Sequence, residues 1–381
     1  MRNQCIVCGA PLFEKKLLVC NHMPKAAQHF PDETSAMSDQ PIDFNLMQCS
    51  GCGLVQLDVE PVEYYRDVIR SGGYSTTMHQ LRHEQYERFL HMCPMEGKRI
   101  IEVGCGQGEF LRIWREDRFP VKAYGIEHDK KLVELAQRDN LNVDVGFAEN
   151  EETVIEGAPF EGFCSFNFLE HQPAPNGMLR CVYNNLKDEA YGLITVPSWE
   201  YIVEQQSYYE LIRDHIAYYS KESFCFLLEK NGFRVISCRE VNRDTWEAIV
   251  EKKRLQDVSA MRENRQALKN QVDTLLETLK AQGKRLAIWG ASHQGLTILS
   301  SMDLQTKVAY VIDSAPFKQG RLTIGSHIPI VPPAYINENQ VDAILIIAPG
   351  YTEEIAESIR MNYDLDIEIY VLRSNQMEKY D

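Results

Sequence analysis

The sequence lacks the features of a membrane protein, a secreted protein and a general nucleic-acid-binding protein. It contains no apolar run near the length of a membrane span, and its first residues, MRNQCIVCGAP, contain no apolar core of a signal peptide. The chain has fewer basic side chains (40) than acidic ones (55), which gives a net charge of −15. Binding to nucleic acid or to an anionic membrane generally needs a positive field. We therefore expect a cytoplasmic protein that binds neither nucleic acid nor membrane.

Short repeats and low-complexity segments are also absent. The 381 residues are 44% apolar and 25% charged, which is ordinary globular composition, and their number allows two or three domains. Eleven cysteines are present, but an odd number in a chain of this length argues against a disulfide framework.

Two CxxC pairs stand out in the first sixty residues. Cys5 and Cys8 form one pair, Cys49 and Cys52 form the other, and a glycine follows each pair. A tight CxxC turn directs two thiolates at one ion, so two pairs complete a tetrahedral site. We predict one structural zinc, because a closed four-thiolate site leaves no position for a catalytic water. Four unligated thiols, or a substitute ligand between the pairs, remain as alternatives.

Strands alternate with helices over most of the remaining chain, which predicts a parallel, doubly wound α/β sheet. The predicted strands are 98–103, 121–127, 142–145, 162–166, 192–196 and 233–238, followed after an interval by 286–289, 308–313, 343–348 and 367–371. Helices are predicted within 61–95, at 109–114, from about Asp129, and as one or two long amphipathic helices between about 247 and 282.

A glycine-rich segment with Gly104, Gly106 and Gly108 follows the first of these strands. Glycines let the backbone turn tightly and approach a ligand closely. Glu127 ends the next strand, where a carboxylate accepts both hydroxyls of a ribose. Glu102, just before the glycines, is unfavourable beside the pyrophosphate of a dinucleotide but suits the ammonium group of an amino acid. The segment therefore predicts S-adenosylmethionine (SAM) as the cofactor rather than NAD.

The segment E-V-G-C-G-Q-G-E-F resembles motif I of class I SAM-dependent methyltransferases. The resemblance implies a Rossmann-like sheet on which the three glycines lie along the methionine part and the ribose, with Glu127 on the ribose diol. It also implies that the adenine lies near Ala148 and Glu149, and that Asn167 lies near the methionine part.

Nearly the whole chain resembles the sugar C-methyltransferases that act on nucleotide-linked keto sugars. The stretches W-G-A-S-H-Q-G-L-T-I-L, V-I-D-S-A-P-F-K-Q-G-R and G-S-H-I-P-I, at 289–299, 311–321 and 325–330, are similar to signatures of that family. The resemblance implies SAM and structural zinc as cofactors and a nucleotide-linked sugar as the small-molecule substrate. The implied domains are a zinc-binding domain (1–60), a helical lid or linker (61–95), a SAM-binding methyltransferase domain (96–250), a helical linker (251–282) and a second Rossmann-like α/β domain for the substrate (283–381).

The segment 207–220 resembles the family segment Y-x-E-H-[LI]-x-Y-[FY]-S, whose histidine is the proposed base. His215 matches that histidine. Asp214 replaces the usual Glu but keeps a carboxylate, so it is a further catalytic candidate, and Ile212 replaces the usual Tyr. Removing a proton beside a ketone needs a base with a pKa near the working pH, which favours histidine. His171, just past the fourth strand, is a second candidate for an acid–base or oxyanion role.

Other positions fit the family less well. Tyr74 lies in a segment that resembles the family's lid, which carries a catalytic tyrosine, but the register is imperfect. Gln294 and Leu296 stand where Lys and Asn are usual, and Ile324 replaces a Pro. These departures keep two alternatives open, which are methyl transfer to oxygen or nitrogen of a secondary-metabolite or polysaccharide precursor, and SAM binding without catalysis.

Overall fold

The chain consists of two compact units, Met1–Leu255 and Gln256–Asp381. The structure is a computed structural model. The residues it describes are 2–28, 30–66, 75–363, 366–373 and 376–380. No helix within these ranges is long and apolar enough to cross a membrane.

A small antiparallel sheet surrounds the CxxC pairs. Its first strands are β1 (Leu18–Met23), β2 (Ile42–Gln48) and β3 (Val55–Leu57), and the second CxxC pair lies in the turn between β2 and β3. Phe44 and Leu46, two residues apart on β2, are buried on the same face. Asn45 between them is also buried, and its side-chain amide donates to Asp58 Oδ2 at 2.7 Å.

The rest of the first unit alternates strands and helices. In chain order its elements are α1 (Thr76–Met92), β4 (Arg99–Val103), β5 (Lys122–Glu127), α2 (Lys130–Arg138), β6 (Val143–Val145), β7 (Phe160–Phe166), α3 (Pro175–Asn184), β8 (Leu186–Pro197), α4 (Trp199–Glu204), β9 (Ala217–Tyr218), α5 (Lys221–Lys230), β10 (Phe233–Val241) and β11 (Thr245–Lys252).

Seven of these strands form one sheet in the order β10-β11-β8-β7-β4-β5-β6. The neighbours from β8 to β6 are parallel, whereas β11 is antiparallel to both β8 and β10. The chain leaves β4 towards one edge and returns to the other, so the strand order reverses between β4 and β7. Ligands of open α/β sheets bind at the carboxyl ends of the strands at such a point. The predicted α/β sheet is confirmed.

Strand β11 lies where the sequence predicted the start of a long helix. Both of its faces are buried, with Val250 on one face and Ile249 on the other. Glu247 is also buried, and its carboxylate pairs with Arg88 of α1 at 2.7 Å. The prediction was wrong at this point because a polar side chain that is paired inside the fold looks, in sequence, like one that faces solvent.

The segment after the glycines, predicted as a helix at 109–114, consists of turns and a short 3-10 helix at Ile113–Arg115. Phe110, Leu111 and Trp114 are all buried, and the Trp114 ring stacks on Tyr86 with 3.6 Å between centroids. Buried apolar side chains at consecutive positions do not follow the one-sided pattern of a surface helix, and the helix prediction was wrong here.

Strand β9 extends the small antiparallel sheet. Its residues pair antiparallel with β3, Tyr218 opposite Val55 and Ala217 opposite Gln56. A strand that follows α4 in the chain therefore completes the small sheet built by the first sixty residues.

The second unit is a further α/β layer. Its elements are α6 (Ser259–Ala281), β12 (Leu286–Trp289), α7 (His293–Ser301), β13 (Val311–Ile312), β14 (Ile330–Val331), β15 (Ala343–Ile346), α8 (Thr352–Asn362), β16 (Glu368–Arg373) and β17 (Gln376–Lys379). The sheet order is β14-β13-β12-β15-β16-β17, parallel except for β17. The apolar face of α6, including Leu268 and Leu275, belongs to the core of this unit. The domain ranges given above stay a prediction.

Candidate active site

The three motif glycines form the loop between β4 and the rest of the first unit. Their φ angles are all positive, at 71° for Gly104, 59° for Gly106 and 79° for Gly108, a region that favours glycine. A Cβ on Gly104 would lie 3.1 Å from the Phe168 ring, and one on Gly108 would lie 2.3 Å from Leu141 Cδ1. The loop is therefore held close to its neighbours in a shape that other residues cannot adopt without strain.

Glu127 lies where the sequence placed it, at the end of β5 beside this loop. Its Oε2 accepts a hydrogen bond from Gly106 N at 2.9 Å and its Oε1 accepts one from Asp129 N at 3.0 Å. Glu102, at the end of β4, is buried. A carboxylate held by backbone amides at this edge is suited to a ribose diol.

The residues predicted around the adenine and the methionine part lie at the same edge of the sheet. Ala148 is buried, and the Glu149 carboxylate pairs with the Arg66 guanidinium. Asn167 follows β7 with a φ of 48°, and its Oδ1 accepts a hydrogen bond from Thr195 Oγ1 at 2.8 Å. The predicted contacts of these residues with the cofactor stay predictions.

His171 and His215, from distant parts of the sequence, lie together. Their ring centroids are 4.7 Å apart in an edge-to-face arrangement. His171 is the last residue of the short 3-10 helix Leu169–His171. This helix begins directly after Phe168, the residue that packs on Gly104. His171 is therefore three residues from a side chain that packs on the glycine loop.

The surroundings of the two rings keep both of them neutral. His171 Nδ1 donates a hydrogen bond to the backbone oxygen of Asp214 at 2.8 Å, because a carbonyl can only accept, and this leaves Nε2 unprotonated. Burial lowers the pKa of His171, and burial together with His171 lowers that of His215 well below its usual value. His215 is half-buried, and no ring nitrogen of it has a hydrogen-bond partner among the described residues. A neutral, unpartnered imidazole is what a general base requires.

Glu170 is a third titratable group of this cluster. Its side chain is 2% exposed, its Oε1 is 4.0 Å from His171 Nε2, and its Oε2 has no hydrogen-bond partner in the described part of the chain. Burial raises its pKa to about 8. Glu170 is therefore largely protonated at neutral pH.

Asp214 is next to His215 in sequence, but its carboxylate points elsewhere. Oδ1 accepts a hydrogen bond from the Tyr64 hydroxyl at 2.7 Å, and Oδ2 accepts one from Ala27 N at 2.9 Å. Burial and the Asp214 charge raise the pKa of Tyr64 to about 12. The sequence did not indicate a role for Tyr64, because it lies 150 residues from Asp214 and no local pattern predicts their contact.

The remaining catalytic predictions have different outcomes. Tyr74 lies outside the described residues, so its role stays a prediction. At Ile212, where the family has a tyrosine, the backbone N donates to the Tyr218 hydroxyl at 3.0 Å. Tyr208 and Tyr209, which could have replaced the missing hydroxyl, are exposed, at 69% and 70%.

The four cysteines of the CxxC pairs form one cluster. All four Sγ atoms lie within 4.8 Å of one another, with 3.6 Å between Cys5 and Cys52 and 3.3 Å between Cys8 and Cys49. Thiolates bound to one zinc ion lie about 3.8 Å apart. The hydrogen bond between Cys5 and Cys52 lowers the pKa of Cys5 to about 5 and raises that of Cys52. The donor set and its spacing fit a tetrahedral metal ion.

The β12–α7 turn of the second unit is built around Gly290 and Gly295. A Cβ on Gly295 would lie 1.9 Å from the backbone oxygen of Gly290, so the helix packs directly on the strand end. Asp313, at the end of β13, accepts a hydrogen bond from Ala291 N at 2.9 Å and pairs with Lys318 at 2.8 Å.

Two family models match the chain. One, described as a methyltransferase domain, matches residues 78–238, and one described as a C-methyltransferase C-terminal domain matches residues 241–369. The first model ends within β10, and the second covers β11 of the first unit as well as most of the second unit.

Individual proteins are similar over different lengths. The C-methyltransferase NovU of Streptomyces niveus is 22% identical over 398 residues, which covers 93% of this chain and 92% of that protein. The ubiquinone biosynthesis O-methyltransferase of Albidiferax ferrireducens is 26% identical over 109 residues, 27% of this chain and 42% of that one. The crystal structure of a SAM dependent methyltransferase from Aquifex aeolicus covers 44% of this chain and 89% of its own, with 18% identity and a TM-score of 0.37.

The two family models together cover both α/β layers, and the similarity to NovU extends over nearly the full length of both proteins. Together with the sheet order and the glycine loop, these matches confirm the class I methyltransferase fold. The fold and the matches together support a SAM-dependent methyltransferase that is similar over nearly its whole length to a C-methyltransferase.

Proposed function

We propose that this enzyme transfers the methyl group of SAM to a carbon beside the ketone of a nucleotide-linked sugar, with His215 as the general base. The observation that carries this proposal is the pair of neutral imidazoles, His171 and His215, which are 4.7 Å apart. His171 is three residues from Phe168, which packs on the glycine loop. A carbon acceptor is not nucleophilic until a base removes its proton, so C-methylation needs such a group beside the methyl donor.

When bound, SAM supplies an electrophilic methyl group. His215 would take the proton from the carbon beside the ketone, and the C–H electron pair would become the enolate. The enolate carbon would then accept the methyl group that SAM supplies, with S-adenosylhomocysteine as the leaving group. His171 donates its Nδ1 proton to the backbone oxygen of Asp214, which leaves its Nε2 free to accept a proton. We therefore assign His171 the acid–base role and propose that it receives the proton from His215. Glu102, Glu127, Asn167, Ala148 and Glu149 keep their proposed places around the cofactor.

The nucleotide part of the substrate is assigned to the second unit. Backbone amides at the β12–α7 turn suit a phosphate. The charge of Lys318 is neutralised by Asp313, and neither Gln294 nor Leu296 supplies a cation. We therefore expect weaker phosphate recognition than a lysine at the turn would give.

The thiol cluster is proposed to bind one structural zinc. The four sulfur atoms close the coordination shell, so zinc there would hold the first sixty residues together and leave no open position for substrate. Zinc–thiolate sites of this kind require reduced cysteines, which supports a cytoplasmic location.

The test uses nucleotide-linked 4-keto sugars in D₂O with S-adenosylhomocysteine in place of SAM. The wild type should exchange the proton beside the ketone for deuterium, observed by NMR, and with SAM it should add one methyl group to that carbon. The variant His215→Asn should lose both reactions while binding S-adenosylhomocysteine normally. Methylation at oxygen or nitrogen without any exchange by the wild type would reject the enolate mechanism.

A further inference from the structure

Asp214 lies in the segment predicted to be catalytic, but both oxygens of its carboxylate accept hydrogen bonds from the N-terminal region, defined here as residues 25–64. Asp214 is 2% exposed, and its two oxygens accept hydrogen bonds from the Tyr64 hydroxyl and Ala27 N, at 2.7 and 2.9 Å. No hydrogen bond or ion pair joins it to His215 within the described residues. A proton-transfer partner of His215 would have to face that ring, so the side chain must act in another way.

The backbone of the same residue holds the other imidazole. The Asp214 carbonyl accepts the Nδ1 proton of His171 at 2.8 Å, which fixes both the tautomer and the orientation of that ring. The orientation of His171 therefore depends on where Asp214 is placed, and Asp214 is placed by Tyr64 and Ala27.

Neighbouring residues are fastened to the same region. The Arg213 guanidinium donates to the backbone oxygens of Lys25, Glu60 and Pro61, at 3.2–3.4 Å. Strand β9, two residues beyond His215, pairs with β3. The whole segment from 213 to 218 thus takes its position from residues 25–64 on one side and from His171 on the other.

We propose that Tyr64 and Asp214 form a positioning pair, through which the N-terminal region sets the orientation of His171 and the approach of His215. Neither residue touches substrate in this scheme. Only the kinetic part of its test rests on the proposed function.

The proposal separates Asp214→Asn from Asp214→Ala. An asparagine can still accept from Ala27 N through its oxygen and donate to the Tyr64 oxygen through its amide, so the segment keeps its anchor without the charge. Alanine removes both contacts. A role in proton transfer would be lost in both variants, whereas a positioning role is largely kept by asparagine.

The first measurement needs no acceptor. In protein labelled with ¹⁵N-histidine, the wild type and Asp214→Asn should show the hydrogen-bonded Nδ1 proton of His171, and Asp214→Ala and Tyr64→Phe should lose or shift it. Tyr65→Phe is the matched control, because the neighbouring Tyr65 hydroxyl accepts from Arg66 instead of reaching Asp214. Signals of distant histidines report whether each variant is folded. Unchanged His171 and His215 signals in Asp214→Ala and Tyr64→Phe overturn the proposal.

The second measurement is the rate of methyl transfer to a keto sugar. Asp214→Asn should keep kcat within about tenfold, and Asp214→Ala should lose about a hundredfold, the range expected for one or two hydrogen bonds to a charged group. KM for SAM should not change. Tyr64→Phe should lower kcat about tenfold in the wild type and not further in Asp214→Ala, because the two residues act as one unit. If Asp214→Asn is as slow as Asp214→Ala, the positioning role is rejected. If the wild type methylates no keto sugar, the proposed function fails and the NMR result alone decides.

Discussion

At the scale of single residues, the glycine loop carries a carboxylate that sequence reasoning did not select. Glu109 is 4% exposed, its Oε2 has no hydrogen-bond partner in the described part of the chain, and it lies 3.0 Å from where a Cβ on Gly106 would be. A buried carboxylate is stabilised by a cationic ligand, and the ammonium group of the cofactor is one. We predict that Glu109→Gln weakens S-adenosylhomocysteine binding about tenfold by calorimetry.

Two comparisons make this prediction specific. 5′-Methylthioadenosine lacks the amino-acid part, so its affinity for Glu109→Gln should equal its affinity for the wild type. Glu127→Gln, which alters the group placed for the ribose, should weaken both ligands. Equal weakening of both ligands by Glu109→Gln would contradict a contact with the ammonium group.

Glu170 makes a prediction about stability and pH. The folded pKa of about 8 lies above the ordinary value of 4.5, so between these values the folded chain keeps a proton that the unfolded chain releases. Its contribution is therefore fully present below pH 4.5 and is lost as the pH rises to about 8. Between pH 5.5 and 7.5 the wild type should lose up to about 3 kcal/mol of unfolding free energy relative to Glu170→Gln.

Urea unfolding of both proteins at several pH values measures this difference. The other titrating groups are common to the two chains, so their contributions largely cancel. Parallel stability curves for the wild type and Glu170→Gln would show that the Glu170 carboxyl titrates normally in the fold.

At the scale of elements, helix propensity and packing favour different residues at Gly295 in helix α7. Alanine is a better helix former than glycine by about 1 kcal/mol, so propensity alone favours Gly295→Ala. The added Cβ, however, would lie 1.9 Å from the Gly290 oxygen, and backbone cannot move away cheaply. We predict a net destabilisation of about 1–3 kcal/mol by urea unfolding. Gly350→Ala, where nothing lies within 4 Å of the new Cβ, is the matched control and should be close to neutral; equal effects of the two substitutions would contradict the packing argument.

Elements differed in how well the sequence predicted them. Buried, apolar strands such as β4 and β12 were predicted within a residue or so, because their hydrophobic runs follow from burial on both faces. Strand β11 and the turns after Gly108 were not predicted. Their structure depends on tertiary contacts, namely the ion pair of Glu247 with Arg88 and the burial of Trp114.

The same distinction holds in the candidate active site. Glu127 was selected as a candidate from local spacing along the chain, and His171 and His215 from local sequence patterns. Their mutual contact and the link from Asp214 to Tyr64 join residues 44 and 150 positions apart, which no local pattern encodes.

At the scale of the whole molecule, the thiol cluster and the methyltransferase sheet share one core. Cys5, Cys49 and Leu54 belong to the same buried cluster as Leu169 and Tyr219. Removing the proposed zinc with a chelator should therefore lower the unfolding temperature and also weaken S-adenosylhomocysteine binding, as measured by calorimetry. Cys49→Ser should reproduce both effects, and Cys225→Ser, outside the cluster, should reproduce neither. Unchanged cofactor affinity after chelation would show that the two parts are energetically independent.

The pairing of β9 with β3 also affects how the protein is made. Until β9 leaves the ribosome, β3 has a free edge, and unpaired strand edges recruit other chains. The two strands are separated by roughly 160 residues, which at about 5–20 residues per second is on the order of 8–32 s of synthesis. A nascent chain that stalls before residue 217 would present this edge indefinitely, so premature termination in the methyltransferase region should yield aggregates rather than a soluble N-terminal fragment.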